Sequence, residues 1–98
     1  MILREKYRIR LRQIFDSFPI PVEVWAYGSR VNGTAHMGSD LDLAVKSSNG
    51  KPISNQIMNK LREQIENSTI PILVEVQDFF ALPESFRHQI NQSKERLY

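Results

Sequence analysis

The feature that most constrains this chain is a small-residue turn followed by a pair of aspartates. The apolar segment 22–27 ends at Gly28 and Ser29, and ten residues separate Ser29 from Asp40, where Asp-Leu-Asp opens a second apolar run. A strand that ends in glycine delivers the backbone into a turn where no side chain obstructs a ligand. Because consecutive strands can return like a hairpin, the turn and the carboxylates are expected to lie side by side.

The turn itself is suited to an anion. Glycine lets main-chain N–H groups face the ligand, and the hydroxyl of Ser29 adds a donor. If a short helix begins after it, the free N–H groups and the helix dipole favour a phosphate there. Ser29 is therefore interpreted as a phosphate ligand and not as a nucleophile. Arg30 is a candidate to neutralise triphosphate charge or to contact a partner, with a surface ion pair as the alternative.

The aspartates follow a strand pattern. In a strand of period two, Asp40 and Asp42 leave one face while Leu41 and Leu43 leave the other. Two carboxylates about 6 Å apart repel by roughly 3 kcal/mol at an effective dielectric near 20, so water, a proton or a cation must screen them. Hard oxygen ligands facing a phosphate favour Mg²⁺. Each half alone is more often an ordinary turn or a solvated strand face, and only their combination indicates function.

These motifs resemble the nucleotidyltransferase superfamily of the DNA polymerase beta type. Within it they are similar to the minimal nucleotidyltransferases, small antitoxin-like proteins often paired with HEPN-domain toxins. The resemblance rests on Gly28 and Ser29 and on the segment 39–43, and it covers residues 20–98. Segment 74–79 resembles the family's third-carboxylate strand, and segment 82–90 with the terminal residues 97 and 98 resembles its closing helix.

Two positions depart from the family pattern. The family usually carries a second arginine where this chain has Asn32, and commonly an aspartate where it has Glu75. The arginine would offer a further phosphate or partner contact. Glu75 keeps the carboxylate but places it one methylene further out, where it can still hold a metal or take a proton.

The resemblance implies a single α/β (α+β) domain over residues 1–98, a small mixed β-sheet flanked by helices. It implies transfer of AMP from ATP to a hydroxyl, with a tyrosine of a HEPN toxin as the acceptor and two Mg²⁺ ions as cofactors. Alternative functions are a weakly catalytic nucleotide-binding antitoxin and the catalytic subunit of a split transferase that acts on a small substrate. A homo-oligomer is an alternative assembly. The implied metal and catalytic residues are Asp40, Asp42 and Glu75, and the nucleotide-binding residues are Gly28, Ser29, Arg30 and Ser39.

Strand parity distinguishes two candidates for the third carboxylate. Val74 and Val76 fall on one face of the last predicted strand, and Glu75 falls on the other, as Asp40 and Asp42 do in theirs. Asp78 has the opposite parity and stands at the strand's end, where it would cap the following turn. Glu75 is therefore favoured over Asp78.

Composition excludes some classes of function. The 98 residues include no cysteine, so disulfides, thiolate nucleophiles and thiolate zinc sites are ruled out, and a cytoplasmic location is expected. No apolar run is long enough for a membrane span. Basic residues are concentrated at positions 4–12. They form either a surface for a partner or a nucleic acid or a solvent-exposed helix face. No motif for direct reading of DNA accompanies them. His36 is interpreted as a loop residue.

Local patterns predict the order of the elements. Helices are expected over residues 2–18 and 53–67 and from Pro83 onward, and strands over 22–27, 40–46 and 71–77. Trp25 and Tyr27 are assigned to opposite faces of the first strand, which predicts one in the core and the other near a ligand.

Overall fold

A mixed β-sheet with helices on both faces forms the framework of the site. The structure is a computed structural model that describes residues 1, 3–33 and 38–98. The described residues form the strands β1 (Val22–Tyr27), β2 (Leu41–Ser47), β3 (Val74–Asp78) and β4 (Lys94–Arg96). They form the helices α1 (Glu5–Asp16), α2 (Ser29–Asn32), α3 (Asn55–Glu66) and α4 (Glu84–Gln92), with a 3₁₀ turn at Phe79–Ala81.

The strands lie in the order β3-β2-β1-β4. β1 is antiparallel to both β2 and β4, whereas β2 and β3 are parallel and are joined through α3. A parallel pair needs a crossover connection, and α3 supplies it. This is the small mixed sheet flanked by helices that the sequence predicted.

The main core lies on one face of the sheet. α1 and α3 pack there through their buried side chains, because each helix presents one apolar stripe. These helix residues are Leu11, Ile14, Phe15, Met58, Leu61 and Ile65. The described residues cover the opposite face only in part, through α4 and the 3₁₀ turn, which pack over Ala44, Phe79 and Ile90. Polar strand residues on that face therefore remain available to ligands.

The structure corrects the predicted end of the closing helix. α4 ends at Gln92, and Lys94–Arg96 forms a strand paired with β1, followed by Leu97, whose N–H donates to the carbonyl of Val24 at 2.8 Å. The sequence Lys-Glu-Arg has little intrinsic preference for a strand, so pairing with an open sheet edge decides its conformation. The first helix is also shorter than predicted. No helix in the described ranges could cross a membrane.

The assignment of Trp25 and Tyr27 to opposite faces was wrong. Residues two apart in a strand share a face. Both aromatic rings therefore lie on the face away from the core, whereas Val24 and Ala26 are fully buried on the core face. Lys94 places its ammonium 4.2 Å from the Trp25 ring centroid, which screens that ring from water.

Asp78 forms its hydrogen bond with a distant segment and not with the turn that follows it in the chain. It is 7% exposed on the core face, and its Oδ2 accepts a hydrogen bond from the Ile53 N–H at 2.6 Å. The sequence predicted a cap on the next turn, but no side-chain cap bond forms there. The carboxylate instead ties the end of β3 to the segment that leads into α3.

We expect Asp78→Ala to lower the free energy of unfolding by about 1–3 kcal/mol, because a buried N–H then loses its acceptor. Chemical denaturation measures the change. Glu63→Ala, at an exposed position of α3, is the control and should stay within about 0.5 kcal/mol of the parent. Equal stabilities of the two variants would contradict the assigned role of Asp78.

Candidate active site

Three strands bring polar side chains into one row. Asp42 of β2 pairs with Tyr27 of β1 on one side and with Glu75 of β3 on the other. Residues in register project from the same side of a sheet, here the side away from the α1 and α3 core. The structure thus places Glu75 beside Asp42 on the face that strand parity predicted for it, while Asp78 faces the core.

The turn after β1 touches the Asp42 carboxylate. Gly28 adopts φ 79° and ψ −155°, a region that only glycine enters readily. A Cβ atom built on Gly28 would stand 2.6 Å from Asp42 Oδ2. The absent side chain is therefore what allows turn and carboxylate to meet.

The short helix predicted after the turn is present. α2 begins at Ser29, and the Gly28 carbonyl accepts hydrogen bonds from the N–H groups of Val31 at 3.0 Å and Asn32 at 3.1 Å. These bonds fix the direction in which the chain leaves the strand. Ser29 consequently stands at the start of the helix, directly after the glycine that meets Asp42.

Negative charge accumulates around Asp42. Burial raises the pKa of Asp42, and the neighbouring carboxylates of Glu75 and Asp40 raise it further, together with a hydrogen bond shared with Glu75. Burial, followed by the charges of Asp42 and Glu75, raises the pKa of Tyr27 to about 12. Tyr27 is therefore a neutral phenol at physiological pH and can donate a hydrogen bond into the site.

The donor set suits a hard divalent cation. Asp42 and Glu75 present carboxylate oxygens side by side, and the exposed Asp40 directly precedes β2. Within the described ranges, no group of three or more acidic, histidine or cysteine side chains is close enough to hold an ion as it stands. The carboxylates nonetheless repel one another, and a cation is one way to relieve that repulsion.

Arg30 is buried and forms hydrogen bonds with the backbone next to the aspartates. Only 2% of it is exposed, and its Nε and Nη2 donate to the Ser39 carbonyl at 2.9 and 2.7 Å. Arg30 therefore holds the residue before Asp40, and a surface ion pair does not describe it. Binding of phosphate by Arg30 and Ser39 remains a prediction.

Lys46 of β2 follows Asp42 in the chain but lies away from this arrangement. Lys46 places its ammonium 5.3 Å from the Phe79 ring centroid and 5.9 Å from that of Phe80, a cation–π contact at the far end of β2. His36 lies outside the described residues. The sequence analysis did not identify Tyr27 as a site residue. Tyr27 stands two positions after Trp25, so both side chains project from the same face of β1, which is the face that carries Asp42 in β2.

The raised pKa of Asp42 makes a prediction about stability. A group that holds its proton more tightly when folded stabilises the fold at low pH, and this stabilisation is lost as pH rises from 3.8 through the raised pKa. Without divalent cations, we expect Asp42→Asn to be more stable at pH 7 than the parent by about 0.5 kcal/mol, because it removes one of two facing carboxylates that solvent partly screens.

Urea denaturation in EDTA at pH 4 and pH 7 measures this difference. The gain should shrink at pH 4, where the carboxylate of the parent chain is protonated more often than in the unfolded chain. Tyr27, Glu75 and Asp40 surround position 42 in both proteins, so the two differ only in the charge at that position. A variant that is less stable than the parent at pH 7 would contradict repulsion as the cause.

A mixed sheet with a glycine turn against paired carboxylates defines an α+β domain of the nucleotidyltransferase class. The chain belongs to the polymerase beta nucleotidyltransferase family, whose model matches residues 10–98. The resemblance seen in the motifs is thereby confirmed for the family.

Known relatives agree with this assignment. The chain is 39% identical over 69 residues to the probable protein adenylyltransferase MntA of Haemophilus influenzae. That match covers 70% of this chain and 59% of the relative, so the chain spans less than two thirds of the relative's length.

Solved structures confirm the fold. A crystal structure of a toxin-antitoxin with AMP-PNP superposes with a TM-score of 0.75 at 19% identity, covering 97% of this chain and 73% of that one. A mutant of the toxin-antitoxin MntA-HpeT gives 0.73 at 22% identity, covering 98% and 73%. At these sequence identities, the similarity to the two solved structures supports the fold and nothing beyond it.

Proposed function

We propose that this chain is a Mg²⁺-dependent nucleotidyltransferase that transfers AMP from ATP to a hydroxyl group. The observation that carries the proposal is the contact between the Gly28 turn and Asp42, where a Cβ would approach Oδ2 to 2.6 Å. A phosphate chain seated at this turn lies directly against the carboxylates. Membership of the family supports the same reaction.

The residues of the turn bind the triphosphate in this proposal. Ser29 offers its hydroxyl, and Gly28 leaves room for the phosphates beside the backbone. Ser39 flanks the aspartates on the other side. Arg30 contributes positive charge from within the fold while it holds the Ser39 carbonyl.

Asp40, Asp42 and Glu75 would hold Mg²⁺, whose chemistry in a two-metal site is to neutralise charge on the phosphates and to activate the acceptor hydroxyl. Their oxygens are of the right kind, and their clustering raises the pKa of Asp42. Like charges so arranged favour a cation between them.

The reaction is a displacement at the α-phosphorus. The acceptor oxygen forms a bond to that phosphorus, the bond to the bridging oxygen of the β-phosphate breaks, and pyrophosphate leaves. In this proposal Glu75 takes the proton of the acceptor hydroxyl. Tyr27 keeps its own proton, because its pKa is about 12, and so does not compete as a nucleophile.

We propose that the acceptor is a tyrosine of a small helical HEPN-type toxin and that the chain acts as its antitoxin. The relative named protein adenylyltransferase and the structural neighbours named as toxin-antitoxin complexes support this choice. The reaction draws on ATP and Mg²⁺, which are abundant in the cytoplasm, and we propose that the chain acts there.

The test is incubation of the chain with a candidate HEPN-type toxin, Mg²⁺ and ATP labelled at either the α- or the γ-phosphate. Label from the α-position should appear on the toxin with a mass increase of whole AMP units. Label from the γ-position on the toxin would indicate a kinase and contradict the proposal, as would the absence of any transfer.

A second candidate is an antitoxin that binds nucleotide but neutralises its partner by occlusion. It is favoured by the absence, among the residues described, of three carboxylates gathered closely enough to hold an ion. Occlusion predicts that neutralisation survives replacement of Asp42, whereas catalysis predicts that it is lost while the complex still forms.

A further inference from the structure

A cavity of about 280 Å³ opens beside the turn at Gly28. It lies between α4 and the end of β1, with Tyr27 and Ile90 forming apolar walls. Because Gly28 lines both this cavity and the contact with Asp42, a ligand bound at the turn can extend directly into it.

An aromatic ring is exposed in this cavity. Phe86 of α4 is 39% exposed although it is large and apolar. Its ring meets that of Tyr27 at 90° with the centroids 6.1 Å apart, so that the two rings brace each other. An exposed aromatic ring held in place in this way is a stacking surface, and every nucleobase has a π-face that fits one.

The remaining lining is polar but carries no charge in the part of the chain that is described. Asn32 and Gln89 supply carboxamides, and Ser93 supplies a hydroxyl. Carboxamides both donate and accept hydrogen bonds, which suits the edge of a heterocyclic base. Such a lining does not suit a phosphate group, which calls for cationic partners.

A second cavity of about 400 Å³ shows the contrast. It lies beside α1 and is lined by the basic residues Arg4, Lys6 and Arg30. The described cavities thus differ in chemistry, and the one next to the phosphate turn is the neutral, aromatic one. A flat, uncharged group that forms hydrogen bonds would fit this lining.

We propose that the cavity at Phe86 binds the nucleobase of the donor nucleotide, with the base against Phe86 and its edge bonded by Gln89 and Asn32. This rests on the proposed function, which places the triphosphate at Gly28. Ligand pockets usually enclose about 300–1,000 Å³, so this cavity is suited to a base and not to a whole nucleotide.

Two ligands separate base binding from phosphate binding. Calorimetry with the full chain and Mg²⁺ gives Kd for ATP and for inorganic tripolyphosphate, which lacks the base. Phe86→Ala should weaken ATP binding about tenfold, as expected when a stacked aromatic ring is removed, and leave tripolyphosphate within about twofold. Gln89→Ala should weaken ATP only, whereas Gln92→Ala, one turn further along α4 and outside the cavity lining, should change neither.

Phe86→Tyr keeps the ring and should retain ATP affinity, which provides a test even if the alanine variant is poorly folded. Unchanged ATP affinity in Phe86→Ala and Gln89→Ala, with tripolyphosphate still bound, would overturn the base site and leave the proposed function standing. Equal losses for both ligands would show that Phe86 only supports the fold. Failure of the parent chain to bind either ligand would overturn the proposed function together with the base site.

Discussion

Asp42→Asn is expected to reduce AMP transfer at least about a thousandfold. Among the described residues, Asp42 is the carboxylate that meets both the turn at Gly28 and a second carboxylate, Glu75. Loss of charge stabilisation worth several kcal/mol at the transferring phosphate gives a rate loss of this size. The rate of label transfer from α-labelled ATP under single-turnover conditions measures it.

Glu23→Gln is the matched control, since Glu23 projects from the same face of the sheet but lies opposite Lys46 and away from the turn. It should keep transfer within about twofold of the parent. Asp42→Asn should also remain folded, because it removes repulsion. Substantial transfer by a folded Asp42→Asn protein would refute the assignment of Asp42 to the reaction.

Gly28→Ala is expected to impair both stability and transfer. At φ 79° and ψ −155° an alanine is strained by about 1–3 kcal/mol, and its Cβ would stand 2.6 Å from Asp42 Oδ2. Either the turn or the carboxylate must move. Displacement by about 1 Å in a catalytic arrangement can cost on the order of a hundredfold in rate, which is the loss expected here.

Gly50→Ala separates the two causes of this loss. Gly50 has φ 74°, but nothing lies within 4 Å of a Cβ built there. It should therefore lose about 1–2 kcal/mol of stability from backbone strain while keeping full transfer once folded. Denaturation and single-turnover rates on both variants provide the comparison. Full activity in a folded Gly28→Ala protein would mean that the close approach to Asp42 is not needed.

The site was predictable from sequence wherever a local repeat decides the direction of a side chain. Alternation along β2 and β3 assigned Asp42 and Glu75 to the ligand face and Asp78 to the other. The same rule was misapplied to Trp25 and Tyr27, so that only one of the two was expected near a ligand and Tyr27 was not identified as the site residue.

Contacts between distant segments were beyond such reasoning. The sequence left Arg30 between a phosphate ligand and a surface ion pair, whereas it is buried with its guanidinium on the Ser39 carbonyl. Asp78 was expected to cap its own turn, yet it accepts from Ile53, 25 residues earlier. In both cases the partner is chosen by the packing of elements that local pattern does not align.

The sequence by itself determined the order of the main elements, the glycine turn and the faces on which the carboxylates lie, because backbone geometry and strand periodicity act over a few residues. Only the tertiary structure decided that β3 lies parallel to β2 with Glu75 level with Asp42, and that residues 94–96 close the sheet. Strand pairing and register arise from long-range hydrogen bonds and core packing, which are satisfied only when the whole chain is folded.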